Sequence, residues 1–156
     1  MSSPSAKSSA APACVCGRLR RAARALTQLY DDTMAPAGLR ITQFSLLHTL
    51  ARNGPQRITE LAALALLDRT ALSRNLEPLA AEGLVRIAAG RDARTREVSL
   101  TRAGEAALAK AMPYWRRAQL QVAQRLGQQN INALVGLLDT VEELHPAPAD
   151  AIANRS

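Results

Sequence analysis

The chain has 156 residues, of which 47% are apolar and 3% aromatic, and a net charge of +7 from 20 basic and 13 acidic side chains. This length suits one domain with a real core rather than two, and the many Ala and Leu residues favour packed helices over a β-sandwich. No apolar run approaches the length of a membrane span, and the N-terminus lacks a hydrophobic secretory core. We therefore expect a cytoplasmic protein with no membrane partner, a disordered tail at 1–13 and a flexible tail at 147–156.

A predicted first helix, over residues 17–35, follows the only two cysteines, Cys14 and Cys16. A helix N-terminus and nearby guanidiniums favour thiolate, so both cysteines are candidate sensors of an oxidant or a thiophilic metal. A metal site usually needs three or four ligands, and the chain adds only His48 and His145, so the metal site is unknown. Two incidental cysteines are the alternative.

A helix-turn-helix is predicted after the second helix, which ends at Asn53-Gly54-Pro55. Thr59 and Asp68 are suitable N-caps for two short helices, the first with apolar residues at Leu61, Ala62 and Leu66. In the second short helix, one side carries an apolar stripe and the opposite side carries polar residues that suit DNA recognition. The stripe is Leu72, Leu76, Leu79 and Gly83, and the opposite side holds Thr70, Ser73, Arg74 and Glu77, with Arg69 and Asn75 at its edges. Of these polar-side residues, all except Glu77 are the candidate DNA-binding residues. A merely solvated amphipathic helix is the alternative.

A β-hairpin is predicted next, with strands at 84–87 and 97–100 joined by an Arg-rich loop. Arg91, Arg94 and Arg96 in this loop suit the minor groove and flanking phosphates of DNA. We expect Asp92 to orient Arg94 or Arg96, because pairs of Arg with a carboxylate are geometrically selective. A mobile charged loop is the alternative.

Two further helices are predicted after Thr101, a suitable N-cap: a long one to about Leu126 with a kink at Pro113, and a last one with a long apolar stripe. A single winged module does not need such helices. The first and last helices are therefore expected to pair across a twofold axis and to hold two recognition helices about 34–36 Å apart, one turn of DNA. A thicker monomer core is the alternative.

Net charge alone supports DNA binding only weakly. Residues 57–105 hold eight basic and seven acidic side chains, whereas residues 1–40 hold six basic and two acidic ones. The placement of individual arginines therefore carries more of the argument than the total charge.

The sequence resembles the MarR family of bacterial transcriptional regulators over about residues 17–145. The resemblance rests on ITQFSLLHTLARNG, ITELAALALLDRTALSRNLEPLAAEGLV, the wing GRDARTREVSLT and the following TRAGEAAL. It implies a mainly α fold with a small β-hairpin wing, in a domain at 14–146. A winged helix-turn-helix lobe lies at about 57–102, and dimerisation helices lie at about 17–35 and 102–145.

The resemblance also implies a function: an obligate homodimer, most often a repressor, that binds a pseudo-palindromic operator in double-stranded DNA. A small molecule, an oxidant or a metal changes its DNA affinity, and no cofactor is required. The family's recognition-helix positions carry over to Thr70, Ser73 and Arg74, and its wing positions to Arg94 and Arg96. Pro78, in the middle of the recognition helix, departs from ordinary helix rules and is expected to bend it.

Other functions are open alternatives. The cysteines favour a thiol-based redox or metal sensor whose DNA role is secondary, and a winged helix used only for protein contact is a weaker reading. We expect no enzyme, because the sequence has no nucleophile–base pair, phosphate-binding glycine loop or adequately spaced metal motif. Tyr30, Tyr114 and Trp115 either line a pocket between the dimer helices and the winged lobe or simply pack in the core, and His48 is read as an interior histidine.

Overall fold

A computed structural model describes residues 14–145, so the predicted tails at 1–13 and 147–156 lie outside the described residues. The elements are α1 Val15–Met34, a 3-10 turn Ala35–Ala37, α2 Ile41–Asn53, β1 Gln56–Arg57, α3 Ile58–Leu64, α4 Arg69–Ala81, β2 Val85–Ala89, β3 Arg96–Leu100, α5 Arg102–Leu126 and α6 Gln128–Glu142. This order of elements confirms the predicted fold class, mainly α with a small hairpin wing. Within residues 14–145, no helix is long and apolar enough to cross a membrane.

The sheet has three antiparallel strands in the order β1-β3-β2, one more strand than the sequence predicts. β2 and β3 form the hairpin, with Val85 opposite Leu100 and Ile87 opposite Val98. The additional strand, β1, has only two residues and pairs Gln56 with Val98. β1 joins the segment before the helix-turn-helix to the base of the wing, so β3 is hydrogen-bonded to a strand on each of its two edges.

The core lies between α2, the helix-turn-helix, the sheet and the first half of α5. Its fully buried side chains include Leu47, Leu61, Leu72, Leu79 and Val98. The terminal helices take little part, because α1 buries only Met34 and α6 buries no residue. The apolar stripe of α6 is therefore largely uncovered in the single chain.

The first helix of the helix-turn-helix differs from the prediction at both ends. α3 begins at Ile58, so Thr59 lies inside the helix and is not its N-cap. The N-cap position is Arg57, whose backbone N–H donates to the Glu60 carboxylate (2.9 Å). Leu66 is also not on the buried face: it lies in the turn after α3 at φ +49° and is 50% exposed.

Candidate nucleic-acid interface

The recognition helix α4 is positioned by its ends and by its buried stripe. At the N-terminus the Asp68 carboxylate accepts a hydrogen bond from the Ala71 N–H (2.8 Å), which confirms the predicted cap. After the C-terminus of α4, Gly83 has a left-handed backbone conformation, at φ +71°. This conformation commonly ends a helix and favours glycine. Between the ends, Leu72, Leu76 and Leu79 are buried in the core, so the opposite side of α4 is held outward.

The outward side of α4 carries the residues that the sequence predicts for DNA contact. Arg69, Thr70, Ser73 and Arg74 are exposed, and Asn75 is half-buried at the edge, as expected. The Ser73 hydroxyl donates to the Arg69 carbonyl (2.8 Å) and the Asn75 amide to the Ala71 carbonyl (2.9 Å). These two side chains keep acceptor oxygens for a ligand, whereas the two arginines offer forks of N–H donors.

The wing loop is held by hydrogen bonds around Asp92. The Asp92 carbonyl accepts from the Thr95 N–H (2.9 Å) and the Thr95 hydroxyl (2.8 Å), and the Gly90 N–H donates to the Thr95 carbonyl (2.8 Å). A Cβ added at Gly90 would lie 2.5 Å from the Thr95 hydroxyl oxygen, so any larger residue here would displace the hydroxyl from its hydrogen bond with Asp92. The loop is therefore a built turn, and its tip presents Arg91 and Arg94 on the surface.

Asp92 organises the wing differently from the prediction. Its carboxylate accepts from the backbone N–H of Arg94 (3.1 Å), not from a guanidinium. The sole salt bridge among residues 14–145 joins Arg57 to Glu60 (3.3 Å). The expected pairing of Asp92 with the guanidinium of Arg94 or Arg96 is thus absent from the described part of the chain. Asp92 fixes the backbone and leaves these exposed guanidiniums to other partners.

The second predicted site, the cysteine pair, lies at the N-terminus of α1. Cys14 and Cys16 are both exposed and free. Cys14 is the N-cap of α1, where its sulfur accepts from the Gly17 N–H (3.5 Å), and Cys16 lies inside the first turn rather than before the helix. Within the described range, no group of three or more His, Cys, Asp or Glu side chains could hold a metal ion.

The aromatic residues pack against the core and against one another. Trp115 of α5 stacks on Phe44 of α2 at a centroid distance of 5.7 Å, and His48 of α2 stacks on Phe44 at 5.7 Å and on Trp115 at 6.5 Å. Tyr30 and Tyr114 also pack against the core. The Tyr30 hydroxyl donates to the Gln119 side chain, which ties α1 to α5. These contacts describe core packing within the single chain.

An apolar groove that sequence reasoning missed runs along the first half of α5. Its volume is about 430 Å³, and it lies between α5, the end of α2 and strand β3. Leu108, Met112 and Pro113 supply apolar surface, and Glu105 and Arg116 supply charge. The groove combines residues that are distant in the sequence, so no local pattern signals it.

The comparisons with known proteins agree with this geometry. A family model described as the MarR family matches residues 37–95. Among solved structures, the M. tuberculosis transcriptional regulator MosR in complex with DNA is 41% identical, with 85% of this chain and 98% of that chain covered and a TM-score of 0.75. The Streptomyces coelicolor protein Sco3205, a MarR family transcriptional regulator in complex with DNA, is 29% identical, with 85% and 90% covered and a TM-score of 0.75.

A third solved structure is that of the transcriptional repressor CouR bound to p-coumaroyl-CoA, at 28% identity, with 82% of this chain and 91% of that chain covered and a TM-score of 0.74. The search of curated proteins gives no match. The match to MosR exceeds 30% identity and covers almost the whole of that regulator. Together with the match to the family model, it shows to which family this chain belongs. The chain belongs to the MarR family of transcriptional regulators.

Proposed function

We propose that this protein is a homodimeric transcriptional repressor that binds a pseudo-palindromic operator in double-stranded DNA. The observation that carries the proposal is the outward face of α4 together with the wing tip. Both surfaces project exposed guanidiniums from a rigid, buried support, and Arg is the residue that forks onto guanine in the major groove. The matched regulators solved on DNA support the same reading.

In this proposal the two surfaces have different tasks. Arg69, Thr70, Ser73, Arg74 and Asn75 on α4 read bases or bind phosphates in the major groove. Arg91, Arg94 and Arg96 in and beside the wing loop bind phosphates and the minor groove, where narrow stretches concentrate negative potential. Asp92 serves the wing by fixing its backbone turn.

The terminal helices support the dimer. α6 exposes four large apolar side chains to 37–65%: Leu134, Val135, Leu137 and Val141. So much exposed apolar surface on one helix is unusual for a monomeric protein and marks an interaction surface. α1 presents a second uncovered apolar strip that includes Leu26. We infer that α1 of one subunit packs against α6 of the other, so that both strips are removed from water.

Charge favours the same pairing. α1 carries four exposed arginines and, over Val15–Tyr30, no acidic residue: Arg18, Arg20, Arg21 and Arg24. α6 and its C-cap residue carry three exposed acidic residues and, over residues 128–143, no basic one: Asp139, Glu142 and Glu143. The excess of positive charge near the N-terminus lies outside the winged lobe. The acidic end of α6 in a second copy of the chain would complement it.

Charge reversal tests this pairing. One chain carries Arg20→Glu with Arg24→Glu, and the other carries Glu142→Lys with Glu143→Lys. We expect each chain alone to dimerise more weakly than wild type, and an equimolar mixture to recover the dimer, because both contacts are then of opposite sign. A mixture no stronger than either chain, measured by sedimentation equilibrium at low salt, contradicts the α1–α6 pairing.

DNA binding itself is tested with a duplex selected by the purified protein from a random pool. We expect wild type to shift this duplex with two chains bound, and Arg69→Ala with Arg74→Ala to lose selectivity for it over an unrelated duplex. Retained selectivity in the double variant contradicts the role of α4.

We further propose that a small anionic molecule with an apolar part releases the DNA, and that it binds in the groove along α5. The groove is apolar at Leu108, Met112 and Pro113, and Arg116 suits a carboxylate or phosphate. The structure of CouR with p-coumaroyl-CoA supports an effector of this class. A thermal-shift screen of aromatic carboxylates and acyl-CoA thioesters identifies the compound, and Met112→Trp, which fills the groove, should abolish its effect.

A thiol-based sensor is the second candidate, favoured by one observation. Cys14 and Cys16 are exposed, and the sulfur of Cys14 accepts a hydrogen bond from the Gly17 N–H at the N-terminus of α1. Oxidant then forms a disulfide, within the pair or between subunits, and this alters the dimer. Mass spectrometry and operator titration of the oxidised protein, with Cys14→Ser and Cys16→Ser as controls, test this. Unmodified cysteines, or equal DNA affinity before and after oxidation, dismiss it.

A further inference from the structure

The end of the recognition helix and the start of α5 meet at one tight contact, which we call the α4–α5 joint: Gly83 and Leu84 after α4, and Thr101 and Gly104 at the start of α5. The Thr101 N–H donates to the Leu84 carbonyl (3.1 Å). The Thr101 hydroxyl lies 2.6 Å from the Gly83 carbonyl oxygen and 3.0 Å from that of Leu84. The same hydroxyl accepts from the Gly104 N–H (3.0 Å). The Thr101 side chain therefore caps α5, and its one hydroxyl hydrogen is shared between two carbonyls of the chain that leaves α4.

Gly104 makes the joint a contact of backbone against backbone. It is buried, and an added Cβ would lie 2.1 Å from the Leu84 carbonyl oxygen. Glycine inside a helix costs about 1 kcal/mol relative to alanine, so its presence here has a packing reason. The same Cβ would lie 2.6 Å from Leu100 Cδ1, so the first turn of α5 packs directly on the Leu84 backbone and the Leu100 side chain, and little rotation of one against the other is available.

The α4–α5 joint lies between the proposed DNA-binding helix and the proposed dimerisation helices. On one side, α4 carries the outward face with Arg74. On the other side, α5 runs back to the terminal helices, where Gln119 accepts a hydrogen bond from Tyr30 of α1. A change in the direction of α5 therefore reaches α4 without a flexible linker between them.

We propose that Thr101 and Gly104 are positioning residues: they fix the angle between α5 and the recognition helix, and thereby set the spacing between operator half-sites that the dimer accepts. This inference rests on the proposed function, because it assumes that two copies of α4 bind DNA together. Neither residue touches DNA in this proposal, and both act through α4.

Operator spacing is the readout that separates positioning from mere stability. The selected operator is prepared with one base pair inserted or deleted between its half-sites, and the affinity of each duplex is measured for wild type, Thr101→Val and Thr101→Ser. Valine has the shape of threonine without the hydroxyl, whereas serine keeps the hydroxyl. We expect Thr101→Val to reduce the preference for the native spacing by about fivefold, the value of one hydrogen bond. Thr101→Ser should keep the preference.

Gly104→Ala provides a second variant, and Gly136→Ala provides its control. A Cβ at Gly136, on the opposite side of α6 from the apolar stripe, meets no atom within 4 Å. We expect Gly104→Ala to lose the spacing preference while it remains dimeric, and Gly136→Ala to keep it. An equal loss of affinity at every spacing, or an unchanged preference in Thr101→Val, overturns the proposal.

Failure of the proposed function has a different signature. If wild type selects no duplex, DNA binding is what fails, and the joint is then judged by the angle between α4 and α5 from residual dipolar couplings. A changed angle in Thr101→Val relative to Thr101→Ser supports the joint, and an identical angle refutes it.

Discussion

Replacement of Arg94 by alanine tests the wing most quantitatively. Arg94 is exposed, and within residues 14–145 its guanidinium forms no salt bridge, while its backbone N–H is held by Asp92. The substitution therefore removes one positive charge per subunit and leaves the wing turn intact. Any change in DNA affinity is then assigned to the contact with DNA and not to refolding of the loop.

The expected magnitude follows from counterion release. Each phosphate contact contributes about 0.9 to the slope of log affinity against log salt, so a dimer that loses two contacts loses about 1.8 in slope. The deficit of the variant relative to wild type should then shrink about tenfold between roughly 50 and 200 mM salt. A variant weaker by the same factor at both salt concentrations would have lost something other than a phosphate contact.

The assay is a fluorescence-anisotropy titration of the selected operator at four or more salt concentrations. Arg117→Ala is the matched control, because Arg117 is also exposed but lies on α5 beyond Pro113, away from the wing. We expect its salt slope to equal that of wild type. Parallel lines for Arg94→Ala and wild type would refute the role of the wing in phosphate binding.

Four further predictions concern reading, capping, helix stability and alkaline pH. Arg74→Ala should relax the base preference at one position in each half-site, which repeated selection from a random duplex pool measures. Asp68→Ala removes the cap of α4 and should lower the free energy of unfolding by about 1 kcal/mol in urea titration. Gly136→Ala should raise the stability of α6 by up to about 1 kcal/mol in the same assay. Burial raises the pKa of Tyr30 above its usual 10.0. The neutral phenol therefore stabilises the folded state fully below pH 10.0, and this part of the free energy of unfolding should be lost as the pH rises through the pKa of the folded state.

Each of these has a control and a contrary outcome. Recovery of the same motif by Arg74→Ala shows that this side chain does not read bases. Asp68→Asn keeps an acceptor and should retain most of the stability, so an equal loss in both variants argues against the cap. Lower stability in Gly136→Ala means that α6 packs against something on that side. Tyr30→Phe should weaken the alkaline loss of stability, and an unchanged pH profile assigns that loss to other groups.

The parts of the fold that the sequence predicts are those with local signals. α4 combines an N-cap at Asp68, a leucine stripe and a terminal Gly83, and all three occupy the expected positions. The hairpin strands are also found, because residues of high strand propensity flank a loop that contains Gly90. These features depend on neighbours within a few residues along the chain.

The parts that the sequence misses depend on distant partners. β1 has two residues, too few for any alternation, and it exists because Gln56 meets Val98. The N-cap of α3 is Arg57, a poor N-cap by residue type, because the Glu60 carboxylate accepts a hydrogen bond from the Arg57 backbone N–H. Asp92 similarly binds a backbone N–H where a charge pair is expected from residue types alone.

The candidate site also has a part that local sequence signals predict and a part that depends on distant contacts. Residue types and helical spacing predict which side of α4 faces outward, because that face follows from the buried stripe. The α4–α5 joint is not predictable in this way, since Gly104 is explained by its contacts with the Leu100 side chain and with the carbonyl of Leu84, which lies twenty residues earlier in the chain. Such a contact is visible only once the two helices are placed together.

Selection of a binding site by the purified protein tests the central claim most directly. A random duplex pool is enriched on the full chain, the recovered DNA is sequenced, and the mass of the complex is measured by light scattering. We expect an inverted repeat with half-site centres about one helical turn apart, bound by two copies of the chain. A pool without enrichment, or a complex with one copy of the chain, would contradict the claim that paired terminal helices present two recognition helices to DNA.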